Sequence, residues 1–331
     1  MRAVVITAYG GPETLALAER PEPQPKPGMV RIAVKAFGLN HAETYFRAGA
    51  WGDVAEISGI ECVGEVIDDP DGRLAPGQAV FALMGGLGRT LNGSYAEQVS
   101  APTANVVPID TRGLSWEALA AIPETYATAW TCLNANLALK TGQTIVIRGG
   151  TSALGLAAIN LAVRAGASVI ATSRKPERAA TIEALGAAFA LETPDLGRRL
   201  LIDHPAGFDA VLDLLGAATL LDSVGMVRRD GRVCVAGFLG GAEPIAGFDP
   251  VWQMKDGVHL SVFASARVYG SETYPLSEIP FQEFVDAAAA GDLSAGPVKV
   301  FALDQLPEAH RAIEAASLGG KAVVRVAGTG T

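Results

Sequence analysis

The sequence predicts a two-domain α/β protein in which a doubly wound parallel sheet is joined to a partly closed β-domain. Short β-branched runs separated by turn residues fill the first third, and strands alternate with helices from about residue 115. Within the alternating part, QTIVIRGGTSALGLAAINLAVRAGASVIATSR (residues 143–174) reads as strand, glycine-rich turn, helix and second strand. With 331 residues, 49% of them hydrophobic and 18% charged, the chain has core material for two domains.

The elements follow in order. Runs at residues 2–7, 30–37, 62–67, 78–83 and 94–99 are β-like and bounded by turn residues. Pro21, Pro23, Pro25 and Pro27 alternate before Gly28, an extended connection into the strand at 30–37. A helix begins at His41, for which Asn40 is a capping residue. Helices are expected at 116–122 and 127–139, after which Thr141 and Gly142 turn the chain into the strand at 144–147. Beyond residue 174 the pattern gives helices at 176–185 and 195–204, a strand at 208–213, a helix at 219–227 and a strand at 232–236. After about residue 262 a crossing rich in Pro and Gly leads to a helix at 281–290, a strand at 298–302, a helix at 306–316 and a strand at 322–326.

The glycine turn carries the chemistry. A turn between strand end and helix start aims backbone N–H groups at an anion, and the helix dipole adds to the attraction. In the register that ends on Gly155, the fingerprint G-x-G-x-x-G is filled by Gly150, Ser152 and Gly155. Serine replaces the middle glycine; it is small enough to admit a phosphate, and its hydroxyl is a donor. The candidates for the pyrophosphate are Gly150, Thr151, Ser152, Ala153, Leu154 and Gly155. Alone, such a loop serves equally well as a structural strand-to-helix turn.

Composition narrows the partners. A formal net charge of −9 argues against nucleic acid and against an anionic membrane surface, so an anionic cofactor needs a local cationic pocket. The opening MRAVVITAYGG is too short an apolar run for a signal sequence, and no run approaches a membrane span. Cys62, Cys132 and Cys234 lie far apart and form no C-x-x-C pair, which fits reduced thiols in a cytoplasmic enzyme.

At the end of the second strand an NAD site offers Asp or Glu to the ribose hydroxyls. Here stand Ser173, Arg174 and Lys175, with Arg178 one helical turn on. A hydroxyl and guanidinium groups neutralise a 2′-phosphate that a carboxylate would repel, so the expected cofactor is NADPH. The same cations also suit a solvated helix start.

Six segments in order resemble one family. GLNHAETYFRAG (residues 38–49) is similar to G-x-N-x-x-D-x-x-x-R-x-G, with Glu43 in the acidic position. ISGIECVGEV (57–66) is similar to P-G-x-E-x-x-G-x-V with Ser58 for the proline, and GSYAEQV (93–99) to G-x-Y-A-E-x-V. With PETYATAW (123–130), FDAVLDLLG (208–216) and EAHRAIEAASLGGKAVV (308–324), these resemble the zinc-independent quinone oxidoreductases of the medium-chain dehydrogenase/reductase superfamily. The resemblance implies a GroES-like catalytic domain, a partly closed β-barrel, over residues 1–118 and 264–331, and a Rossmann dinucleotide-binding domain over 119–263.

The resemblance also implies roles for single residues. Zinc-dependent relatives hold zinc with a cysteine and a histidine where this chain has Asn40 and Ile60, and 73–108 lacks the cysteines of a structural zinc lobe, so no metal is expected. Arg178 stands at the basic position for the 2′-phosphate, and Asn40 and Thr128 at the nicotinamide contacts. The loop 236–241, with Gly237 and Phe238, follows a strand whose end faces the cofactor, and Phe263 offers its backbone to the nicotinamide. Asn40 and Tyr45 are the catalytic candidates; Tyr45, like Tyr126, is either a proton donor or an aromatic wall residue. A homodimer through sheet edges near 259–263 is expected.

The activity implied is NADPH-dependent hydride transfer to a quinone or an α,β-unsaturated carbonyl compound, without a metal. Reduction of an enoyl thioester or alkenal is the enzymatic alternative, favoured by a longer or more basic entrance near Tyr45, Phe46 and Arg47. A non-catalytic NADPH-binding structural or sensor protein is the other.

Overall fold

The computed structural model describes residues 1–241, 243–293 and 298–326. It divides into two compact units, Met1–Ala127 with Ser265–Thr331, and Thr128–Ala264. Residues 294–297 and 327–331 of the expected catalytic domain lie outside the described residues. Among the described residues, no helix is long and apolar enough to cross a membrane.

In chain order the strands are β1 (Arg2–Ile6), β2 (Leu15–Glu19), β3 (Met29–Gly38), β4 (Glu61–Asp68), β5 (Ala79–Leu83), β6 (Gln98–Pro102) and β7 (Val106–Pro108). The second unit follows with β8 (Thr144–Arg148), β9 (Ser168–Ser173), β10 (Ala188–Leu191), β11 (Phe208–Asp213), β12 (Val227–Val235) and β13 (His259–Val262). The first unit resumes with β14 (Lys299–Ala302) and β15 (Ala322–Arg325).

The first unit is built around β3, in which Val30, Ile32 and Val34 are buried while Arg31, Ala33 and Lys35 are half-buried, the period of two of a strand with one core face. Its length lets one edge serve two partners: β6 pairs with Met29–Ala33 and β15 with Ala36–Gly38, while β4 takes the other edge. The sheet runs β14-β15-β3-β4-β5-β7, with β1 and β2 as a separate antiparallel pair. No ladder joins β14 to β7 among the described residues. Phe37 stacks on Tyr95 at 5.0 Å in the core, which also takes Ile57, Cys62, Phe301 and Leu306.

Two expected elements shift for identifiable reasons. The strand expected at 94–99 starts only at Gln98, because Ser94 and Tyr95 donate their N–H groups to the Gly59 and Ser58 carbonyls. The helix expected from residue 127 begins at Pro123, whose missing N–H suits a first turn, and gives way after Thr131 to a π-turn, Cys132–Asn136. Helix α1 is His41–Ala48, α2 is Trp116–Leu119 and α3 is Pro123–Thr131. Helix α2 packs on β3, β4 and β15, and the first unit runs to Ala127.

The second unit is a six-stranded, all-parallel sheet in the order β10-β9-β8-β11-β12-β13. Counted from β8 this is 3-2-1-4-5-6, the doubly wound order in which the strand order reverses between β8 and β11. Strands β8 and β11 carry Ile145, Val146, Ile147, Ala210, Val211 and Leu212, all buried, as central strands covered on both faces require. Helix α4 (Ala153–Arg164) follows the glycine turn and buries Ala157, Ala158, Ile159 and Ala162.

Candidate functional site

The glycine turn leaves β8 at the switch point, where an open parallel sheet creates a crevice at its strand ends. Gly149 has φ +78°, a left-handed conformation that favours glycine. Gly150 donates its N–H to the Thr172 carbonyl at 2.9 Å, and a Cβ on it would lie 2.9 Å from that of Ala171. At Gly155 a Cβ would overlap the Gly149 carbonyl and lie 2.7 Å from Gly150 Cα. The turn and the first turn of α4 therefore touch only because both are glycine there.

Ser152 is the N-cap of α4. Its Oγ accepts the Gly155 N–H at 3.0 Å and donates to the Gly149 carbonyl at 2.8 Å. The hydroxyl proton, which the sequence reading offered to a phosphate, is thus committed to the turn itself. The donors left for an anion are main-chain ones: Ala153 and Leu154 are the first helical residues of α4, and such N–H groups have no partner within the helix.

Beside the turn lies the end of β9. Thr151 Oγ1 is 3.4 Å from Ser173 Oγ, which also accepts the Lys175 N–H at 3.2 Å. Ser173 is buried, Arg174 and Lys175 are exposed and Arg178 is half-buried. The structure thus brings the turn and Ser173 together, with Arg174 beside them in the chain.

Beneath the turn is a group that the sequence did not reveal. Arg148, the last residue of β8, is buried and pairs with Glu192 and with Asp222 at 2.8 Å; it also donates to Ser223 Oγ at 3.1 Å. Glu192 accepts Thr172 Oγ1 at 2.6 Å, and Thr172 Oγ1 accepts the Gly149 N–H at 3.2 Å. An arginine at a strand end ordinarily reads as surface charge, so only its burial exposes this role. Buried Asp213, at the end of β11, accepts the N–H groups of Leu215 and Gly216 and the hydroxyls of Thr219 and Ser223.

The loop after β12 is pinned to the loop after β11. Ala236, Leu239 and Gly240 donate to the carbonyls of Asp213, Leu214 and Leu215, and a Cβ on Gly237 would lie 2.6 Å from the Leu214 oxygen. Phe238 follows, half-buried. Phe263 is buried and donates its N–H to the Val235 carbonyl at 2.9 Å, so that N–H is committed within the unit. Thr128 is buried on α3.

In the first unit, Asn40 precedes α1 and belongs to a buried cluster. Its Nδ2 donates to Glu61 Oε1 at 2.8 Å, while its Oδ1 accepts Lys321 Nζ at 2.6 Å. Lys321 Nζ also donates to Glu61 Oε1 at 2.6 Å, and Glu61 Oε2 accepts the Glu124 N–H at 2.8 Å. Tyr45 on α1 stacks on Trp51 with centroids 5.4 Å apart and meets His41 edge-on at 5.2 Å. Burial raises its phenol pKa, so the ring stays protonated at neutral pH while forming part of an aromatic group. Arg47 is buried against Glu314 and the Gly10 carbonyl, and Phe46 is buried too. Arg47 is therefore no surface cation for a thioester.

A second buried chain runs below α1. Arg47 Nη1 lies 3.4 Å from His310 Nδ1, Tyr95 Oη lies 2.9 Å from His310 Nε2, and burial with Glu43 nearby raises the Tyr95 phenol well above its usual range. Arginine only donates, so Nδ1 accepts and the imidazole proton sits on Nε2, directed at Tyr95. Glu43 accepts the N–H groups of Asn40 at 2.7 Å and Ile60 at 3.0 Å. Burial raises the Glu43 carboxyl to about 7 and, with Arg47 adding to it, lowers His310 to about 3.

Comparison with known proteins agrees with both units. Residues 26–111 match the alcohol dehydrogenase GroES-like domain, and residues 153–281 match the zinc-binding dehydrogenase family. Human quinone oxidoreductase is 27% identical over 327 residues, covering 95% of this chain and 94% of its own. A mycobacterial protein solved with NADPH has a TM-score of 0.84 at 25% identity, covering 98% of this chain and 99% of its own. An NAD-dependent alcohol dehydrogenase has a TM-score of 0.82 at 28% identity, covering 99% and 100%.

One of these family names implies zinc, and the residues do not fit it. Asn40 and Ile60 stand at the positions expected for ligands, and neither is a thiolate or an imidazole. The neighbouring oxygens, Asn40 Oδ1 and Glu61 Oε1, each already hold the Lys321 ammonium at 2.6 Å. A divalent cation there would face that ammonium at contact distance. Among the described residues no group of three His, Cys, Asp or Glu is placed to hold a metal.

The buried chain below α1 predicts an opposed pH dependence of stability. Glu43 is raised from 4.5 to about 7, so its contribution is complete below 4.5 and is lost as pH rises through about 7. His310 is lowered from 6.5 to about 3, so its contribution is complete above 6.5 and is lost as pH falls through about 3. In urea unfolding, the stability of the wild type relative to Glu43→Gln should be greater near pH 5 than near pH 8. An equal difference at both would show that Glu43 is ionised throughout.

Proposed function

The chain belongs to the medium-chain dehydrogenase/reductase superfamily, and from that premise we propose that it is an NADPH-dependent reductase acting on a quinone or an α,β-unsaturated carbonyl compound. The observation that carries the cofactor assignment is the contact of Thr151 with Ser173, which sets the glycine turn beside a strand end followed by Arg174 and Lys175. Glu192, the carboxylate bonded through its N–H to the Ser173 carbonyl, has its oxygens engaged by Arg148 and Thr172. It is therefore not free to bind ribose hydroxyls or to repel a 2′-phosphate.

Under this reading, NADPH supplies the hydride when bound. The Ala153 and Leu154 N–H groups and the α4 dipole attract the pyrophosphate, and Ser173, Arg174 and Arg178 hold the 2′-phosphate. Thr128, Gly237, Phe238 and Phe263 serve the nicotinamide end from the second unit. In the first unit Asn40 supplies a fixed amide, and the stacked Tyr45 and Trp51 supply an aromatic surface suited to a flat acceptor. The human quinone oxidoreductase supports the quinone; an enone presents the same electron-poor carbon conjugated to a carbonyl. The buried state of Arg47 disfavours the thioester alternative.

Substituting Arg174→Ala and Arg178→Ala together should raise the NADPH dissociation constant about 10–100-fold, the loss of one charge-assisted hydrogen bond or more, and change that for NADH about twofold or less. Equal losses would misplace the 2′-phosphate site. NADPH oxidation with benzoquinone, phenanthrenequinone, a simple enone and an enoyl-CoA is expected to be fastest with a quinone or the enone. Tight NADPH binding with no turnover on any of the four would leave a non-catalytic binding protein.

We further propose a homodimer through β13 in a cytoplasmic setting. β13 lies at the edge of its sheet, and its Val262 is 69% exposed, with Trp252 85% exposed on the preceding helix Pro250–Gln253. Unpaired edges and large exposed apolar side chains are surfaces that association covers. The reduced, buried thiols of Cys62, Cys132 and Cys234 support a reducing compartment. Sedimentation should give a dimer for the wild type and a monomer for Val262→Lys; a monomeric wild type would dispose of the pairing.

A further inference from the structure

We propose that Lys321 is a positioning residue that, together with Glu61, locks the Asn40 carboxamide in a single orientation and makes it a fixed reader of a carboxamide ligand. The inference rests on the reading that Asn40 contacts the nicotinamide. It goes beyond it by naming what holds Asn40 and which groups Asn40 has left to offer.

A primary amide has two N–H donors and two oxygen lone pairs. In Asn40 one donor is spent on Glu61 Oε1 and one lone pair on Lys321 Nζ, at 2.8 and 2.6 Å. Turning the amide over would set its NH2 against an ammonium that can only donate and its oxygen against a carboxylate that can only accept. Both bonds are to charged, buried groups, so the reversed state is strongly disfavoured. Among the hydrogen bonds of the described residues, one N–H and one lone pair of this amide remain. A carboxamide presents the complementary pair, one acceptor and one donor.

The surroundings are shaped for this arrangement. Glu61 is completely buried and Lys321 is 5% exposed, so neither charge is screened by water. Gly38 leaves the space: a Cβ there would overlap Lys321 Cε and Glu61 Oε1 and lie 2.8 Å from the Ala120 carbonyl. Glu61 Oε2 is held by the Glu124 N–H in the first turn of α3, which fixes the carboxylate plane. Glu43 holds the Asn40 main-chain N–H at 2.7 Å, so backbone and side chain of Asn40 are both constrained.

The test uses the full-length protein with NADPH and the best acceptor found. Lys321→Met leaves Glu61 unpaired and is paired with the charge-neutral double variant Glu61→Gln/Lys321→Met, whose folding is checked by circular dichroism. If the proposal holds, the folded variants lose about tenfold or more in kcat while KM for NADPH changes about threefold or less. Adding Asn40→Ala to Lys321→Met should cost nothing further, because Lys321 acts through Asn40. Lys321→Arg should recover part of the rate.

A merely structural lysine would instead give losses that add to those of Asn40→Ala. That additivity, or wild-type kcat in the neutral pair, overturns the proposal. A measurement that needs neither Lys321 variant guards against their failing to fold. The acetylpyridine analogue of NADPH lacks the amide N–H that Asn40 Oδ1 would accept, and should be used less well by the wild type than by Asn40→Ala, relative to NADPH in each. Equal discrimination would also overturn the proposal. Failure of the wild type to oxidise NADPH with any acceptor would instead remove the functional reading on which this rests.

Discussion

The first unit depends on a carboxylate that has been taken entirely out of water. Glu61 opens β4 with no exposed surface, and an unpaired buried charge would cost several kcal/mol, so everything around it is arranged to receive it. Lys321, just before β15, supplies the counter-charge, Asn40 supplies an amide donor and the first turn of α3 supplies an N–H. One side chain thereby joins β4, the start of α1, the start of α3 and the approach to β15. Gly38 at the end of β3 is the space those groups occupy. Such a pair contributes less to net stability than an apolar core of equal volume; what it contributes is a unique arrangement, since any displacement leaves a charge unmatched.

The second unit meets the same constraint with the signs exchanged. The buried cation is Arg148, at the end of β8, and its partners Glu192 and Asp222 come from beyond β10 and from the helix Leu220–Met226. The network ends on the turn: Glu192 accepts from Thr172, whose hydroxyl accepts the Gly149 N–H. A glycine turn is intrinsically loose because glycine has the widest choice of backbone conformations, and loses the most on becoming fixed. Here the looseness is removed from below, by side chains.

The sequence conveyed the parts that depend on short-range pattern. β8, the glycine turn, α4 and β9 were legible because two β-branched runs flank a helical period, and each is local. β2, LALAE, and β10, AFAL, were not, because both are short and contain residues that favour helices; only pairing with β1 and β9 makes them strands. The site divided in the same way. Asn40, Thr151 and Ser173 were legible as positions in motifs. Lys321 and Glu61 were not, since they lie 260 residues apart and nothing in one segment announces the other. Ser152 was legible as a residue but not as a role: only the coordinates show its hydroxyl committed to Gly149 and Gly155.

These commitments decide which cations remain for a ligand. The chain carries a net charge of −9, and the glycine turn has Glu192, Asp213 and Asp222 beneath it, so an approaching polyanion meets an unfavourable background. Arg148, the nearest buried cation, is consumed in balancing those carboxylates and is not available. On the proposed reading, attraction of a phosphate comes from main-chain N–H groups at the start of α4 and from exposed Arg174 and Lys175. Main-chain donors serve any dinucleotide equally, because the pyrophosphate is common to all of them. Discrimination by a third phosphate consequently falls on the exposed basic side chains, whose interactions are weakened by salt over a Debye length of about 8 Å at physiological ionic strength. On that proposal the buried cation shapes the cradle, and the exposed ones choose what lies in it.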